Sequence, residues 1–247
     1  MKRKMALDLF SGTGSVKRVL EDYGYTVISV DRDRKWQPDI VADIQRWKYW
    51  ELFEPGQFDI VAASPPCTEY SAALTTRPRR LKEADRLVRR TRQIIEFLDP
   101  RVWWIENPRH GKLQERAVVR GLNFIDLDYC KFEQWGYHKP TRFWVPRSMA
   151  NLQNVLCHGD CDNMVVEVDG RRHHRVCIGG RGQRPSREEA YRIPRGIVEY
   201  LCGFRRSPAS TLEVEMREVT IKPWQHRPAR RFCIGRVEKR GGAQQLM

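Results

Sequence analysis

The 247-residue chain is long enough for one sizeable α/β domain with a small appendage, and 40% hydrophobic residues support a packed core and exclude wholesale disorder. Lys and Arg number 45 against 31 acidic residues, a formal charge of +14, which favours a polyanionic partner because phosphate contacts dominate nucleic-acid affinity. No apolar run is long enough to span a bilayer, and the one after Met1-Lys2-Arg3-Lys4 stops at Asp8, too short for a signal peptide. The seven cysteines form no secreted disulfide pattern, so an intracellular, reducing location is expected.

Short apolar runs alternate with helical patterns through the first half of the chain. Met5 to Phe10 predicts a strand, Ser11 to Gly14 a tight loop, and Ser15 to Tyr23 a helix with Val16, Val19 and Leu20 on one face. Strands are predicted at Tyr25 to Val30, which Asp31 follows, and at Phe58 to Ala63, broken by Pro65-Pro66. A long basic helix over residues 79–98 is closed by Asp99-Pro100, and Val102 to Ile105 runs as a strand into Glu106-Asn107-Pro108. Phe124 to Leu127 and Phe143 to Val145 are later strands. This order implies an α/β fold, a doubly wound and mostly parallel sheet with helices on both faces, whose ligands bind beyond the carboxyl ends of the strands. The expected divisions are a catalytic domain at 1–146, a Cys/His-rich insert at 147–185, a helix at 186–204 broken by Pro194, and a basic tail at 205–247 with weak strand alternation at Leu212, Val214 and Met216.

Three motifs sit at predicted strand ends. In Asp8-Leu9-Phe10-Ser11-Gly12-Thr13-Gly14-Ser15 the glycines permit a sharp turn and close ligand approach, and the helix that follows offers free N–H groups. Lys17 stands where a dinucleotide fingerprint needs its third glycine, which disfavours NAD. The loop suits S-adenosylmethionine better, with Asp31 placed for a ribose and Asp43 for an adenine amino group. In Ser64-Pro65-Pro66-Cys67 two prolines present a thiol rigidly, either a nucleophile or a small buried hydrophobe. Glu106 ends the next strand, a carboxylate suited to binding or protonating a ring nitrogen, or to capping.

The ordered set of glycine loop, Pro65-Pro66-Cys67 and Glu106-Asn107-Pro108 resembles the cytosine C5 methyltransferase family over residues 4 to about 146. The resemblance implies transfer of a methyl group from S-adenosylmethionine to a flipped cytosine, with Cys67 as nucleophile and Glu106 on N3. It implies cofactor contacts from Phe10, Ser11, Gly12, Gly14, Asp31, Asp43, Ile44 and Pro65, and a loop over the base, Thr68 to Arg80, in which Ser71 matches a family serine. Several positions depart from the family pattern. Thr68 stands in place of a glutamine, and a Gln-x-Arg-x-Arg motif is reduced to His138-Lys139-Pro140-Thr141-Arg142. Arg142 is then the arginine that orients the base or the glutamate, and Lys139 the substitute for the other. Tyr191-Arg192-Ile193-Pro194 resembles the segment that closes the cofactor pocket.

The expected substrate is DNA, with RNA such as tRNA left open by the catalytic residues, and a catalytically weak nucleic-acid-binding module as the non-enzyme reading. Phosphate contacts are expected from Arg77, Arg79, Arg80, Lys82, Arg86, Arg89 and Arg90, and from Arg205, Arg206, Arg227, Arg230 and Arg231 in the tail. The insert is short for target recognition, and Cys157, Cys161, His174 and Cys177 offer a structural zinc set to staple it. A monomer is the default expectation.

Overall fold

The computed structural model describes residues 4–135, 137–177 and 182–204, all within one compact unit. Seven strands form one sheet: β1 (Met5–Leu9), β2 (Thr26–Asp31), β3 (Ile40–Val41), β4 (Ile60–Ala63), β5 (Val102–Pro108), β6 (Asn123–Asp128) and β7 (Pro140–Val145). Their order is β3-β2-β1-β4-β5-β7-β6. The first five run parallel, and β7 lies antiparallel to both β5 and β6. β4 is buried along its whole length, which is why it reads in sequence as an unbroken apolar run.

Successive strand residues face opposite sides, and the core divides accordingly. On one side Ala6, Ile60, Ala62, Trp104 and Phe143 pack against Val16, Val19 and Leu20 of α1 (Ser15–Asp22). Ile197, Val198 and Leu201 of the C-terminal helix, residues 195–202, join the same side. On the other, Leu7, Val61, Ile105 and Trp144 pack against Val88, Ile94, Ile95 and Leu98 of α2 (Leu81–Leu98). The doubly wound expectation is met. Chain order reverses between β1 and β4, so the crevice beyond their carboxyl ends is the natural ligand site.

The helix expected at 186–204 with a break at Pro194 is two pieces, α3 (Arg187–Tyr191) and α4 (Arg195–Cys202), with Pro194, whose ring cannot continue a helix, between them. The insert carries a hairpin absent from the sequence reading, β8 (Met164–Val166) paired with β9 (Arg172–His174). Among the described residues no helix is long and apolar enough to cross a membrane. The strand-like tail and its arginines lie outside the described residues.

Candidate active site

The loop after β1 is held in an unusual backbone. Phe10, Gly12 and Gly14 all adopt positive φ (61°, 46° and 68°), a region where a Cβ is strained. Asp31, at the end of β2, fixes this loop by accepting hydrogen bonds from Gly12 N (3.0 Å) and Asp33 N (2.9 Å). Ser15 Oγ accepts from Ile193 N at 3.0 Å, so the segment before α4 closes against the glycine loop. Two oxygens in this region, Asp8 Oδ2 and Thr13 Oγ1, are buried and make no hydrogen bond within the described residues. Burial pushes the Asp8 carboxyl up to about 7. Asp43 is exposed and accepts from Gln45 N within its own turn, whereas Ile44 is buried under α2.

Pro65 and Cys67 follow β4. Asn107, wholly buried at the end of β5, donates its Nδ2 to Pro65 O at 2.9 Å, pinning one strand end to the other. Tyr70 N and Ser71 N both donate to Cys67 O, so the chain turns tightly just after the thiol. Burial pushes the Cys67 thiol up; the Lys139 ammonium pulls it down and the Glu106 carboxylate pushes it up again.

Glu106 is 6% exposed. Its Oε1 lies 3.2 Å from Lys139 Nζ and accepts from the Tyr129 hydroxyl at 3.3 Å. Burial opposes the charge on Lys139, and the Glu106 carboxylate together with Tyr129, Tyr137 and Cys67 outweighs it, leaving the ammonium's pKa well above its usual value. Burial first, then Glu106, raises Tyr129, so its hydroxyl remains a donor.

Arg142, expected to orient the base or the glutamate, does not pair with Glu106. Its guanidinium pairs with both carboxylate oxygens of Asp126 on β6 (2.8 and 2.9 Å) and stacks on Phe124 at 3.6 Å. The physical reason is strand alternation: Glu106 is in register with Phe143, so Arg142 projects from the opposite face. Because β7 is antiparallel, it brings its beginning to the catalytic edge, and Lys139 just ahead of it meets Glu106.

No family model matches the chain. A probable DNA (cytosine-5)-methyltransferase of frog virus 3 (isolate Goorha) is 32% identical over 215 residues, covering 78% of this chain and 95% of that protein. The chain belongs to the DNA (cytosine-5)-methyltransferase family. Among solved structures, a putative DNA modification methyltransferase of an E. coli prophage aligns with TM-score 0.42 and 17% identity over 57% of this chain and 46% of that one. The Entamoeba histolytica methyltransferase EhMeth gives 0.45, with 13% identity over 66% and 59%. The S. pombe Dnmt2 methyltransferase gives 0.40, with 19% identity over 58% and 49%. This chain thus spans about half the length of those three structures.

Within this methyltransferase, the segment after Cys67 is anchored from inside. Tyr70, wholly buried, donates its hydroxyl to Asp85 at 3.0 Å, and Arg116 grips the same carboxylate. Arg79, expected on phosphate, spends its guanidinium on Ser71 O at 2.7 Å, and Arg77 pairs with Glu69. Arg90 donates to Trp47 O and lies over Tyr49. Ser71 Oγ accepts from Ala73 N. Arg80, Lys82, Arg86 and Arg89 stay exposed, and the first three, with Arg79 and Arg116, line an open hollow at the start of α2.

Of the four expected metal ligands, three lie together. Cys157, Cys161 and His174 gather with Cys130, and Cys177 is not in the group. Cys177 is placed elsewhere by its backbone, which bridges His138 and Gln183. Sequence reading missed Cys130, and it gave Asn107, Tyr129 and Ser15 no role. Tyr129 and Cys130 immediately follow β6, so the rule that chemistry gathers at strand ends was the available signal.

Proposed function

We propose that this methyltransferase transfers a methyl group from S-adenosylmethionine to C5 of cytosine in DNA through a covalent adduct with Cys67. The observation that carries the reading is the buried Glu106–Lys139 ion pair, held by the Tyr129 hydroxyl, at the strand end next to Cys67, whose thiol feels both of its charges. The residues around the β1 loop fit the cofactor: a left-handed turn that admits close approach, a fixed Asp31 carboxylate, and two buried oxygens in want of partners. Phe10, Ser11, Gly12, Gly14, Asp31, Asp43 and Pro65 would hold it, with Ile44 as apolar backing. Bound there, it supplies an electrophilic methyl group.

The target base must leave the helix, because a stacked cytosine hides C6 from a thiol. The Cys67 thiolate adds to C6 while Glu106 holds the N3 edge, and the C5–C6 electron pair becomes nucleophilic at C5. After C5 is methylated, its proton is lost and the C6–S bond breaks, returning the electron pair to the ring and the thiolate to Cys67. Glu106 and Cys67 are coupled in this scheme. A proton taken up from solvent between Glu106 and N3 as the base binds neutralises the carboxylate that raises the thiol, so base binding itself favours the thiolate.

Lys139 positions Glu106 in the role first assigned to Arg142, which instead braces β6 against β7. Residues 147–185 read the target, while Arg80, Lys82, Arg86 and Arg89 meet phosphate. DNA is favoured over RNA because the frog virus relative carries a DNA-methyltransferase name.

The test is methyl transfer from labelled S-adenosylmethionine to unmodified DNA and to total RNA, with the product nucleoside identified by mass spectrometry. 5-Methylcytosine in DNA, absent with Cys67→Ala although the cofactor still binds, is expected. Label in RNA alone would overturn the substrate, and turnover by Cys67→Ala would overturn the nucleophile.

A further inference from the structure

Cys130, Cys157, Cys161 and His174 meet outside the methylation site. Cys130 lies in the turn after β6, Cys157 and Cys161 in the loop before β8, and His174 ends β9. Their four donor atoms all lie within 4.8 Å of one another, with Cys157 Sγ 3.3 Å from His174 Nε2. All three thiols are free. A tetrahedral zinc, with sulfur at about 2.3 Å and nitrogen at about 2.0–2.1 Å, sets its donors roughly 3.5–3.8 Å apart, inside the 4.8 Å limit that the four donors meet. We infer that these four residues form a Cys3His zinc site that staples the insert to the edge of the central sheet.

The need for a staple is visible in the burial pattern. Between residues 150 and 185, Asn163 is the only buried residue among those described. A two-stranded hairpin with three-residue strands and no apolar core of its own is marginal in water. The backbone nevertheless holds the donors in place. Cys157 N donates to Asp128 Oδ2 at 2.9 Å, and Val155 bridges both ways to β6, N to Asp126 O and O from Asp128 N. Asn163 Nδ2 donates to Cys130 O and Glu133 O at 3.0 and 2.9 Å, cradling the turn that bears Cys130. The His174 ring stacks on the His138 ring with centroids 4.2 Å apart and planes 6° from parallel, which restricts the orientation of the imidazole.

Ligand softness selects the metal. Three thiolates and an imidazole suit zinc and reject calcium or magnesium, and the closed set of four protein donors marks a structural site. Cys130 adjoins Tyr129, the donor to Glu106, so the staple also steadies one wall of the methylation site.

The test uses the full chain, purified with zinc and a reductant and then dialysed against metal-free buffer. Elemental analysis is expected to find about one zinc per chain, and Co2+ in its place to give the visible absorption of a tetrahedral thiolate complex. Cys161→Ser and Cys130→Ser are expected to lose at least nine-tenths of the metal, whereas Cys177→Ser keeps it. In case Cys130→Ser fails to fold, the unaltered chain gives an independent readout. Cys157 and Cys161 should resist alkylation until a chelator is added, with the sites mapped by mass spectrometry. A chain that retains no zinc, a Cys157–Cys161 disulfide under these conditions, or metal lost from Cys177→Ser but kept by Cys130→Ser would each overturn the site.

Discussion

Lys139→Met removes one partner of a nearly buried pair and leaves its isosteric stem. The two side chains are 15% and 8% exposed, with Nζ and Oε1 3.2 Å apart. At an effective dielectric of about 20, that separation is worth about 5 kcal/mol of attraction. Removing one partner of such a pair costs about 3–5 kcal/mol, because the remaining charge is left desolvated. The substitution also deletes the cation that lowers the Cys67 thiol, so the thiol rises further. Two outcomes are therefore expected: a loss of about 3–5 kcal/mol in denaturant unfolding, and a kcat/KM profile whose acid limb moves to higher pH. Arg142→Met separates positioning from general stability: it breaks the Asp126 pair on the other face and should leave the pH limb in place. A cycle with Glu106→Gln completes the assay, the double variant costing less than the sum of the singles. Additive losses with an unmoved pH profile would refute the coupling of Lys139 to Glu106 and Cys67.

Asp8→Asn tests the buried carboxyl beside the glycine loop. The folded carboxyl sits at about 7 against 3.8 when exposed, so its stabilising effect is complete below about 4 and is lost as pH rises through 7, about 4 kcal/mol in all. The asparagine variant should lose that slope between pH 4 and 7 relative to the unaltered chain, and urea midpoints at pH 5 and 8 would read it; parallel curves would refute the assignment. Asn107→Ala should cost about 1–3 kcal/mol in thermal unfolding by orphaning Pro65 O, with a larger fall in kcat as Cys67 loses its brace. Arg80→Ala with Arg86→Ala should leave cofactor affinity unchanged and flatten the slope of log affinity for DNA against log salt by about 2, a titration that an unchanged slope would turn against phosphate contact.

How much of the molecule was legible in the chain depends on how local each feature is. The parallel strands announce themselves as short apolar runs, because strands buried on both faces need no polar alternation; β4 is the clearest case. Glycine and proline punctuate their ends for reasons of backbone sterics, so the loop at Gly12 and Gly14 and the turn at Pro65-Pro66 fall where the sequence implies. β3, β8 and β9 went unseen, being two or three residues long with little buried side chain to leave a pattern.

What the sequence alone determined is therefore the doubly wound frame, the glycine loop, and the placing of Cys67 and Glu106 at neighbouring strand ends. Only the tertiary structure decided which cation serves Glu106 and which cysteine completes the metal cluster. Both choices depend on contacts between segments distant in sequence. The antiparallel course of β7 puts Lys139 on the catalytic edge and turns Arg142 to the other face. The turn after β6 carries Cys130 beneath the insert, while the backbone bridges of Cys177 hold that residue outside the cluster. Composition and spacing record which donors a chain owns; strand direction and register determine which of them meet.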